Sequence, residues 1–142
     1  IPDESIQTAL LMATMSGVEV NLMFPCKPDH PFVYWATLSY VGELIMAGAN
    51  CYTYDNGFLH AKGLSIDGKA CCYGTANMDI RSFALNFEVN AMIFDQNIAG
   101  EMERIFREDL KCCTRITKEM YKSRSVWIRF KEQISRLLSP VL

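Results

Sequence analysis

The apolar residues of the chain follow two periods that alternate along its length. Residues that recur every three or four positions, such as Ile6, Leu10 and Ala13, indicate amphipathic helices. Residues that recur at every second position, such as Leu22 and Phe24, indicate strands with one buried face. The predicted helices cover residues 4–16, 32–47, 97–111, 118–123 and 126–138, and the predicted strands cover residues 18–24, 51–54, 59–66, 70–73 and 87–93. Strands alternating with helices predict an α/β sandwich with a mixed β-sheet flanked by helices.

Proline, glycine and short polar residues mark the connections between these elements. Pro25, Pro28 and Pro31 enforce a loop before the second helix. Asp67-Gly68 is typical of a tight hairpin turn, and residues 75–86 are predicted as a loop.

Composition sets the class of protein. The 142 residues suit one domain, in which about 117–142 form a helical C-terminal extension, and the 50% of apolar residues exclude a disordered chain. The longest apolar run, residues 35–49, is interrupted by Glu43 and is too short to span a bilayer. Residues 1–100 carry 4 Lys/Arg against 10 Asp/Glu, whereas residues 101–142 carry 10 against 6. The basic end either faces an anionic partner or is a solvated helix surface, which is the commoner case.

The cysteines indicate a reducing compartment. None forms a C-x-x-C pair, which gives a zinc site little support. We predict six reduced thiols in a protein that faces the cytosol, two of them on a strand: Cys26, Cys51, Cys71, Cys72, Cys112 and Cys113.

The last predicted helix carries an apolar stripe with cations elsewhere on its surface. The stripe consists of Trp127, Phe130, Ile134, Leu137 and Leu138. Covering the domain's own sheet is the favoured interpretation, and lying on an anionic membrane surface is the alternative.

Candidate chemistry is concentrated between His60 and Asn77, in the pattern H-x-K-x4-D-x6-G-T-x-N. An imidazole is a nucleophile or proton carrier near neutral pH. Lys62 lies two positions after His60, so both side chains would project from one face of an extended strand. Lys62 supplies a compact positive charge for a phosphoryl oxygen, and Asn77 supplies an amide donor. The Gly74-Thr75 turn is expected to bring Asn77 back beside the strand.

This spacing resembles the HKD motif of the phospholipase D superfamily. Thr75 stands where serine is commoner and keeps the hydroxyl. The segments from Gly74 to Phe83 and from Asn86 to Asn90 are similar, more specifically, to bacterial cardiolipin synthases. The resemblance implies a phospholipase D-like sandwich. It also implies an enzyme that transfers a phosphatidyl group between two phosphatidylglycerols and releases glycerol.

The resemblance also implies roles for the motif residues. His60 would attack phosphorus to give a phosphohistidine, which splits one difficult displacement into two easier ones. Lys62 and Asn77 would hold the non-bridging oxygens, with Thr75 beside them as a substrate-binding residue. No metal or other cofactor is implied, because the protein supplies the positive charge. Asp67 is a turn residue that supports the site without touching the phosphate.

Three further residues each have two interpretations. Glu88 either lies on the solvent face of a strand or, as the resemblance suggests, hydrogen-bonds a catalytic histidine ring and fixes its tautomer. Arg81 either pairs with Asp79 in the loop or helps to bind a second phosphate. His30 is either a loop histidine or lies at the pocket edge, because the segment from Lys27 to His30 looks like the family's loop.

The motif occurs once, whereas superfamily active sites combine two, one histidine acting as nucleophile and the other as general acid. The second half either precedes Ile1 or comes from a second copy of the chain. The cardiolipin-synthase-like flanks favour the first. We therefore expect the C-terminal half of a longer enzyme, inactive or nearly so alone, in which His60 is the nucleophile or the acid.

By resemblance, the partners are the N-terminal HKD half, anionic phosphatidylglycerol and the membrane surface. The full enzyme is expected at the bacterial cytoplasmic membrane with its catalytic domain on the cytoplasmic side, and this segment alone is expected to be soluble. One competing hypothesis is a homodimeric phosphodiesterase acting on nucleic acid. The acidic residues 1–100 disfavour it, since they would repel nucleic-acid phosphates. The other is a non-catalytic interaction module, against which the intact motif argues.

Overall fold

Helices and strands alternate along the part of the chain that the computed structural model describes, which is residues 3–26 and 31–137 without the side chains of residues 31–34 and 137. The helices are α1 Glu4–Met15, α2 Pro31–Ala47, α3 Ile80–Ala84, α4 Gln96–Leu110, α5 Lys118–Lys122 and α6 Val126–Leu137. The strands are β1 Asn21–Pro25, β2 Asn50–Tyr54, β3 Gly63–Ile66, β4 Ala70–Gly74, β5 Asn90–Ile93 and β6 Cys113–Ile116.

The strands form two three-stranded sheets. In the first, β2 lies in the centre, parallel to β1 and antiparallel to β6. In the second, β4 lies in the centre and pairs antiparallel with β3 and β5. The predicted α/β architecture, with a mixed sheet flanked by helices, is confirmed. The strands are, however, divided between a mixed and an antiparallel sheet.

The hydrophobic core lies between α2 and the mixed sheet. Val41, Leu44 and Ile45 of α2 are buried together with Ala49 and Cys51. Burial raises the pKa of the Cys51 thiol to about 12, so it stays protonated and unreactive. All six cysteines are free thiols, as predicted. The residues packed around this cluster come from α1, β1, β6 and α5 and the segment before β1: Leu10, Leu11, Val20, Leu22, Phe24, Ile116 and Tyr121.

Side-chain caps determine where several helices begin. The Asp3 carboxylate accepts hydrogen bonds from the Ser5 and Ile6 N–H groups, and Asp95 accepts one from Ile98 N–H. Asp79 caps α3 in the same way, within the segment that the sequence predicted as a loop. The loop prediction is therefore wrong for α3. The Asp79 carboxylate accepts a hydrogen bond from Ser82 N–H, which stabilises the first turn of a helix.

Strand boundaries also differ from the prediction. β3 and β5 begin at Gly63 and Asn90, three or four residues later than the alternation suggested. β6 was not predicted at all. It is an edge strand whose middle residues, Thr114 and Arg115, are exposed, so its sequence carries no apolar alternation.

We expect Gly74→Ala to destabilise the second sheet by about 2 kcal/mol. A Cβ at Gly74 would lie 2.1 Å from the Val89 carbonyl oxygen and 2.6 Å from the Asn90 Cα. These are backbone atoms of the paired strand and of the residue before it, so they move only if the pairing shifts. Gly100→Ala in α4, where nothing lies within 4 Å of the new Cβ, is the control and is expected to be neutral or stabilising. Urea unfolding of both variants measures the difference, and equal midpoints would contradict the steric argument.

The C-terminal helix packs on α2, with Glu132 and Ser135 buried at 2% and 0% exposure. Trp127 and Phe130 are 74% and 55% exposed. The favoured interpretation, that this stripe covers the domain's own sheet, is therefore wrong. The side chain of Leu137 and all of Leu138 fall outside the described residues. Of the helices in the described ranges, none is long and apolar enough to cross a bilayer.

Candidate active site

His60 and Lys62 lie in the irregular segment that leads into β3. The prediction that they project from one face of a strand is wrong, because the ladder with β4 begins only at the pair Gly63–Tyr73. The Lys62 carbonyl still accepts a hydrogen bond from Gly74 N–H at 3.3 Å, which ties the segment to the end of β4. The Lys62 ammonium donates to the His60 carbonyl at 3.1 Å. The two residues of the motif are therefore adjacent, although not through strand geometry.

The imidazole of His60 is open to solvent. It stacks on the ring of Phe58, with 5.6 Å between ring centroids and 20° between ring planes. His60 is exposed, and Phe58 is 70% exposed. An approaching ligand can thus reach the ring without any rearrangement of the core.

The ring of Tyr73 lies under this segment because residue 63 has no side chain. The nearest Tyr73 ring atom is 2.0 Å from the position that a Cβ at Gly63 would take. The Tyr73 hydroxyl lies 3.5 Å from the Ser65 hydroxyl. Because residue 63 is glycine, the Tyr73 ring can lie directly against the backbone that follows Lys62.

The segment after β4 is held by reciprocal hydrogen bonds to the start of β5. Thr75 N–H donates to the Val89 carbonyl at 3.0 Å, and Val89 N–H donates to the Thr75 hydroxyl at 2.9 Å. Ala76 N–H donates to the Asn90 side-chain oxygen at 3.3 Å. Thr75 thus has a structural role that its hydroxyl makes possible.

Ser82 positions the backbone of Asn77. Asn77 N–H donates to the Ser82 hydroxyl at 3.1 Å, and Ser82 N–H donates to the Asp79 carboxylate at 2.8 Å. Ser82 is 5% exposed, whereas the side chain of Asn77 is exposed. Ser82 is not among the site residues predicted from the sequence. Its position three residues after an aspartate, as in a helix cap, was the available signal.

Glu88 is connected to the motif, on a stretch that precedes β5 rather than within a strand. Hydrogen bonds from Thr75 and Asn86, the latter at 3.1 Å, lower the pKa of its carboxyl, with smaller contributions from Ser82 and from the Lys62 charge. Glu88 is therefore ionised at neutral pH. In the described part of the chain, no hydrogen bond joins it to the ring of His60. Its predicted contact with a catalytic histidine stays a prediction.

The structure does not bring Asp67 to this group. Asp67 and Gly68 form the β3–β4 turn with φ angles of 52° and 59°, as the hairpin prediction required. The whole of β3 separates this turn from Lys62, a distance of roughly 16 Å along a strand. On its other side the turn lies close to α4. A Cβ at Gly68 would be only 3.2 Å from the Glu103 carboxylate.

The last two predicted site residues are placed in part. Arg81 is exposed in the first turn of α3, and the salt bridges within residues 3–26 and 31–137 do not join it to Asp79, whose carboxylate caps the helix. The ion-pair interpretation is therefore wrong, and the phosphate-binding one stays a prediction. His30 lies outside the described residues.

Together these contacts form a small polar network on an open face. Lys62, Thr75, Ser82 and Glu88 are linked by hydrogen bonds or by charge, and His60 joins them through Lys62. An accessible imidazole with an ammonium bound to its own backbone carbonyl suits attack on a phosphate ester, because a nearby cation stabilises charge that develops on the non-bridging oxygens. Across the described ranges, no group of three or more His, Cys, Asp or Glu side chains is arranged to hold a metal ion.

We expect Ser82→Ala to lower the free energy of unfolding by about 1 kcal/mol, because the Asn77 N–H loses its acceptor. Hydrogen exchange at the Asn77 amide should become faster in this variant. Ser123→Ala removes an exposed hydroxyl that donates to the Met120 carbonyl, and it is expected to change stability by less than about 0.5 kcal/mol. Unchanged exchange at Asn77 would contradict the role given to Ser82.

Comparison with known proteins shows which family the chain resembles. A family model described as "Cardiolipin synthase, PLD-like domain" matches residues 1–110. A cardiolipin synthase of Oceanobacillus iheyensis and the major cardiolipin synthase ClsA of Bacillus subtilis are each 56% identical to the chain over 142 residues. These alignments cover all of this chain and 30% of each relative, so the chain spans less than a third of their length. The crystal structure of Nuc, a phospholipase D family member from Salmonella typhimurium, superimposes with a TM-score of 0.74 at 17% identity. The match covers 82% of this chain and 76% of that one.

Proposed function

The chain belongs to the PLD-like domain family of cardiolipin synthases, and on this premise we propose that it supplies one half of a phosphatidyltransferase active site. The substrate class is an anionic glycerophospholipid, phosphatidylglycerol, which serves as both donor and acceptor of the phosphatidyl group. The products are cardiolipin and glycerol.

The observation that carries this proposal is the network around Lys62. In this network the Lys62 ammonium is hydrogen-bonded to the His60 backbone and contributes charge to the ionised Glu88, and the His60 ring is exposed on a face that an extended lipid headgroup can approach. The relatives are similar to this chain over its full length, which includes the motif.

The reaction proceeds in two displacements. A ring nitrogen of His60 attacks phosphorus, forming an N–P bond while the P–O bond to glycerol breaks, and the leaving oxygen takes a proton from the second histidine. The primary hydroxyl of another phosphatidylglycerol then attacks phosphorus, gives its proton to that second histidine, and displaces His60. In the mirror assignment, His60 is the proton donor and the second histidine is the nucleophile.

Charge stabilisation comes from groups on both sides of the phosphate. Lys62 leaves the His60 carbonyl and binds a non-bridging oxygen, and the Asn77 amide donates to another. Glu88, held ionised by Thr75 and Asn86, receives a hydrogen bond from a histidine ring and stabilises its positive form. The ring concerned belongs to the second half, since Glu88 has no hydrogen bond to His60 within the described part of the chain.

The outer residues have supporting roles in this proposal. Arg81 binds the second phosphate of the acceptor or product, because it is an exposed cation in the first turn of α3, four residues after Asn77. Asp67 stabilises the hairpin turn and makes no contact with phosphate.

Exposed apolar residues around the motif support a missing second half. Phe87 and Val89, which precede β5, are 107% and 77% exposed, and Leu85 after α3 is 75% exposed. Apolar residues clustered along one stretch of surface are typical of an interface. The proposed partner is the N-terminal HKD half of the same enzyme, whose relatives are more than three times as long as this chain.

Trapping of the covalent intermediate tests the proposal. A complete enzyme that contains this chain is mixed with phosphatidylglycerol carrying labelled phosphate, quenched in denaturant at alkaline pH, and mapped by mass spectrometry. The expected result is an acid-labile phosphatidyl adduct on His60 or on the histidine of the second motif. Absence of any adduct, together with normal cardiolipin formation, would overturn the two-step mechanism. Cleavage of nucleic acid with no phosphatidyl transfer would favour the phosphodiesterase alternative.

A further inference from the structure

The exposed side of α6 carries a continuous apolar stripe. Val126, Trp127, Phe130 and Ile134 are 79%, 74%, 55% and 39% exposed. At about 3.6 residues per turn, these positions share one side of the helix. The rings of Trp127 and Phe130 contact each other edge to face with centroids 6.3 Å apart, so the stripe is a joined aromatic surface.

The opposite side of α6 is fixed to the domain. Glu132 and Ser135 are buried against α2, and Glu132 forms an ion pair with Arg124. Arg136 forms an ion pair with Glu43 of α2. These polar contacts determine which side of α6 faces inward, and they hold the apolar stripe outward as a preformed surface.

Cations border the stripe on both sides. Arg129 and Lys131 are exposed and flank it on the helix surface, and the Lys131 ammonium lies 4.8 Å from the ring centroid of Trp35. Glu132 is the sole carboxylate of α6, and it points inward to Arg124. The outward side of α6 therefore combines apolar rings and positive charge without any carboxylate. Residues 118–137 carry 6 Lys/Arg against 2 Asp/Glu.

We propose that α6 is a monotopic docking surface for an anionic lipid bilayer, in which Trp127 and Phe130 enter the headgroup region and Arg129 and Lys131 contact lipid phosphates. Amphipathic helices with aromatic residues between cations bind in this manner, because apolar burial and attraction to anionic headgroups add. Tryptophan is favoured at that depth, since its ring is apolar and its N–H is a donor.

Charge complementarity favours a bilayer over a protein as the occupant. A second protein surface would have to present carboxylates on both sides of an apolar groove, whereas an anionic bilayer presents both features everywhere. The surface is also distinct from the apolar residues around the motif, which lie after β4 and before β5. The family-model match ends at residue 110, before α6 begins. The inference does not depend on the catalytic proposal.

Hydrogen exchange of the complete enzyme with and without vesicles tests this surface. The vesicles contain equal parts of phosphatidylserine and phosphatidylcholine, so the anionic lipid is not the proposed substrate. We expect vesicles to slow exchange in α6, and pure phosphatidylcholine vesicles to do so far less. Substituting Trp127→Ser together with Phe130→Ser should weaken vesicle partitioning by about 10- to 100-fold. Arg129→Gln should weaken it by about fivefold.

Met15→Ser is the matched control, because it removes an apolar side chain that is 78% exposed on α1. It should leave partitioning unchanged. His60→Ala should also bind vesicles like the parent, which separates this inference from the catalytic one. If the double variant does not fold, unchanged exchange of α6 in the parent enzyme on adding vesicles overturns the proposal by itself. A double variant that changes the oligomeric state and keeps vesicle partitioning overturns it in favour of a protein partner.

Discussion

His60→Ala in a complete enzyme that contains this chain is expected to lower cardiolipin formation by at least about 10,000-fold. In the proposed mechanism the imidazole exchanges a covalent bond or a proton with the substrate in either assignment, so no neighbour can replace it. Its ring is exposed and stacks on the exposed ring of Phe58, so folding should be little affected. Conversion of phosphatidylglycerol in mixed micelles measures the loss. Asn97→Ala, an exposed polar truncation on α4, is the control and should keep parental turnover.

The same variant can assign His60 as nucleophile or acid. A phosphatidyl ester of p-nitrophenol needs no proton on its leaving oxygen. If His60 is the general acid, His60→Ala should recover most of the rate of the first p-nitrophenol release, and the adduct should then accumulate on the other histidine because the second displacement lacks its base. If His60 is the nucleophile, the ester should remain uncleaved. Normal phosphatidylglycerol turnover by the variant would remove His60 from catalysis altogether.

Much of the fold could be predicted because apolar residues recur at a regular spacing over the length of each long helix. α1, α2 and α4 were predicted to within two residues, since each buries a face on a sheet or on another helix. The β3–β4 hairpin was predicted from Asp67-Gly68, because these two residue types tolerate the positive φ angles that a tight hairpin turn requires. β6 could not be predicted, because its position is determined by pairing with β2 rather than by its own sequence.

The candidate site shows where residue spacing misleads. The separation of His60 from Lys62 suggested a strand, yet the ladder ends at Gly63, and the Lys62 ammonium returns to the His60 backbone instead. Ser82 could not be predicted from the motif, because its role is to accept a hydrogen bond from the backbone N–H of Asn77. The motif drew attention to His60, Lys62 and Thr75, while hydrogen bonds across the chain determine how these residues are arranged.

The orientation of α6 could not be predicted from the spacing of its apolar residues. The apolar residues were identified from the sequence, but their direction was not, because a polar face can also be buried when its charges are paired. Glu132 and Arg124 form such a pair, and their contact places the polar side of α6 inward. Hydrophobicity alone would have placed the helix the other way round.

Lys62→Ala in the complete enzyme is expected to lower kcat by about 100- to 1,000-fold, the usual effect of removing one donor to a developing oxyanion. Lys62 is the cation that the hydrogen bonds place beside His60. Its loss should act mainly on kcat, because charge on the non-bridging oxygens builds most in the transition state. Lys62→Arg should recover only part of the rate, since the guanidinium is larger and planar. Initial rates over a range of phosphatidylglycerol concentrations separate kcat from KM.

Lys69→Ala provides the matched charge control, because Lys69 is an exposed lysine at the turn of the same hairpin and lies a full strand away from His60. It should keep kcat within about twofold of the parent. Hydrogen bonds from Thr75 and Asn86 do most to lower the pKa of Glu88 and the Lys62 charge contributes less, so Lys62→Ala should raise that pKa only slightly, which carboxyl-carbon NMR can follow. A shifted Glu88 pKa with unchanged kcat would mean that Lys62 stands beside the carboxylate without ever binding the phosphate.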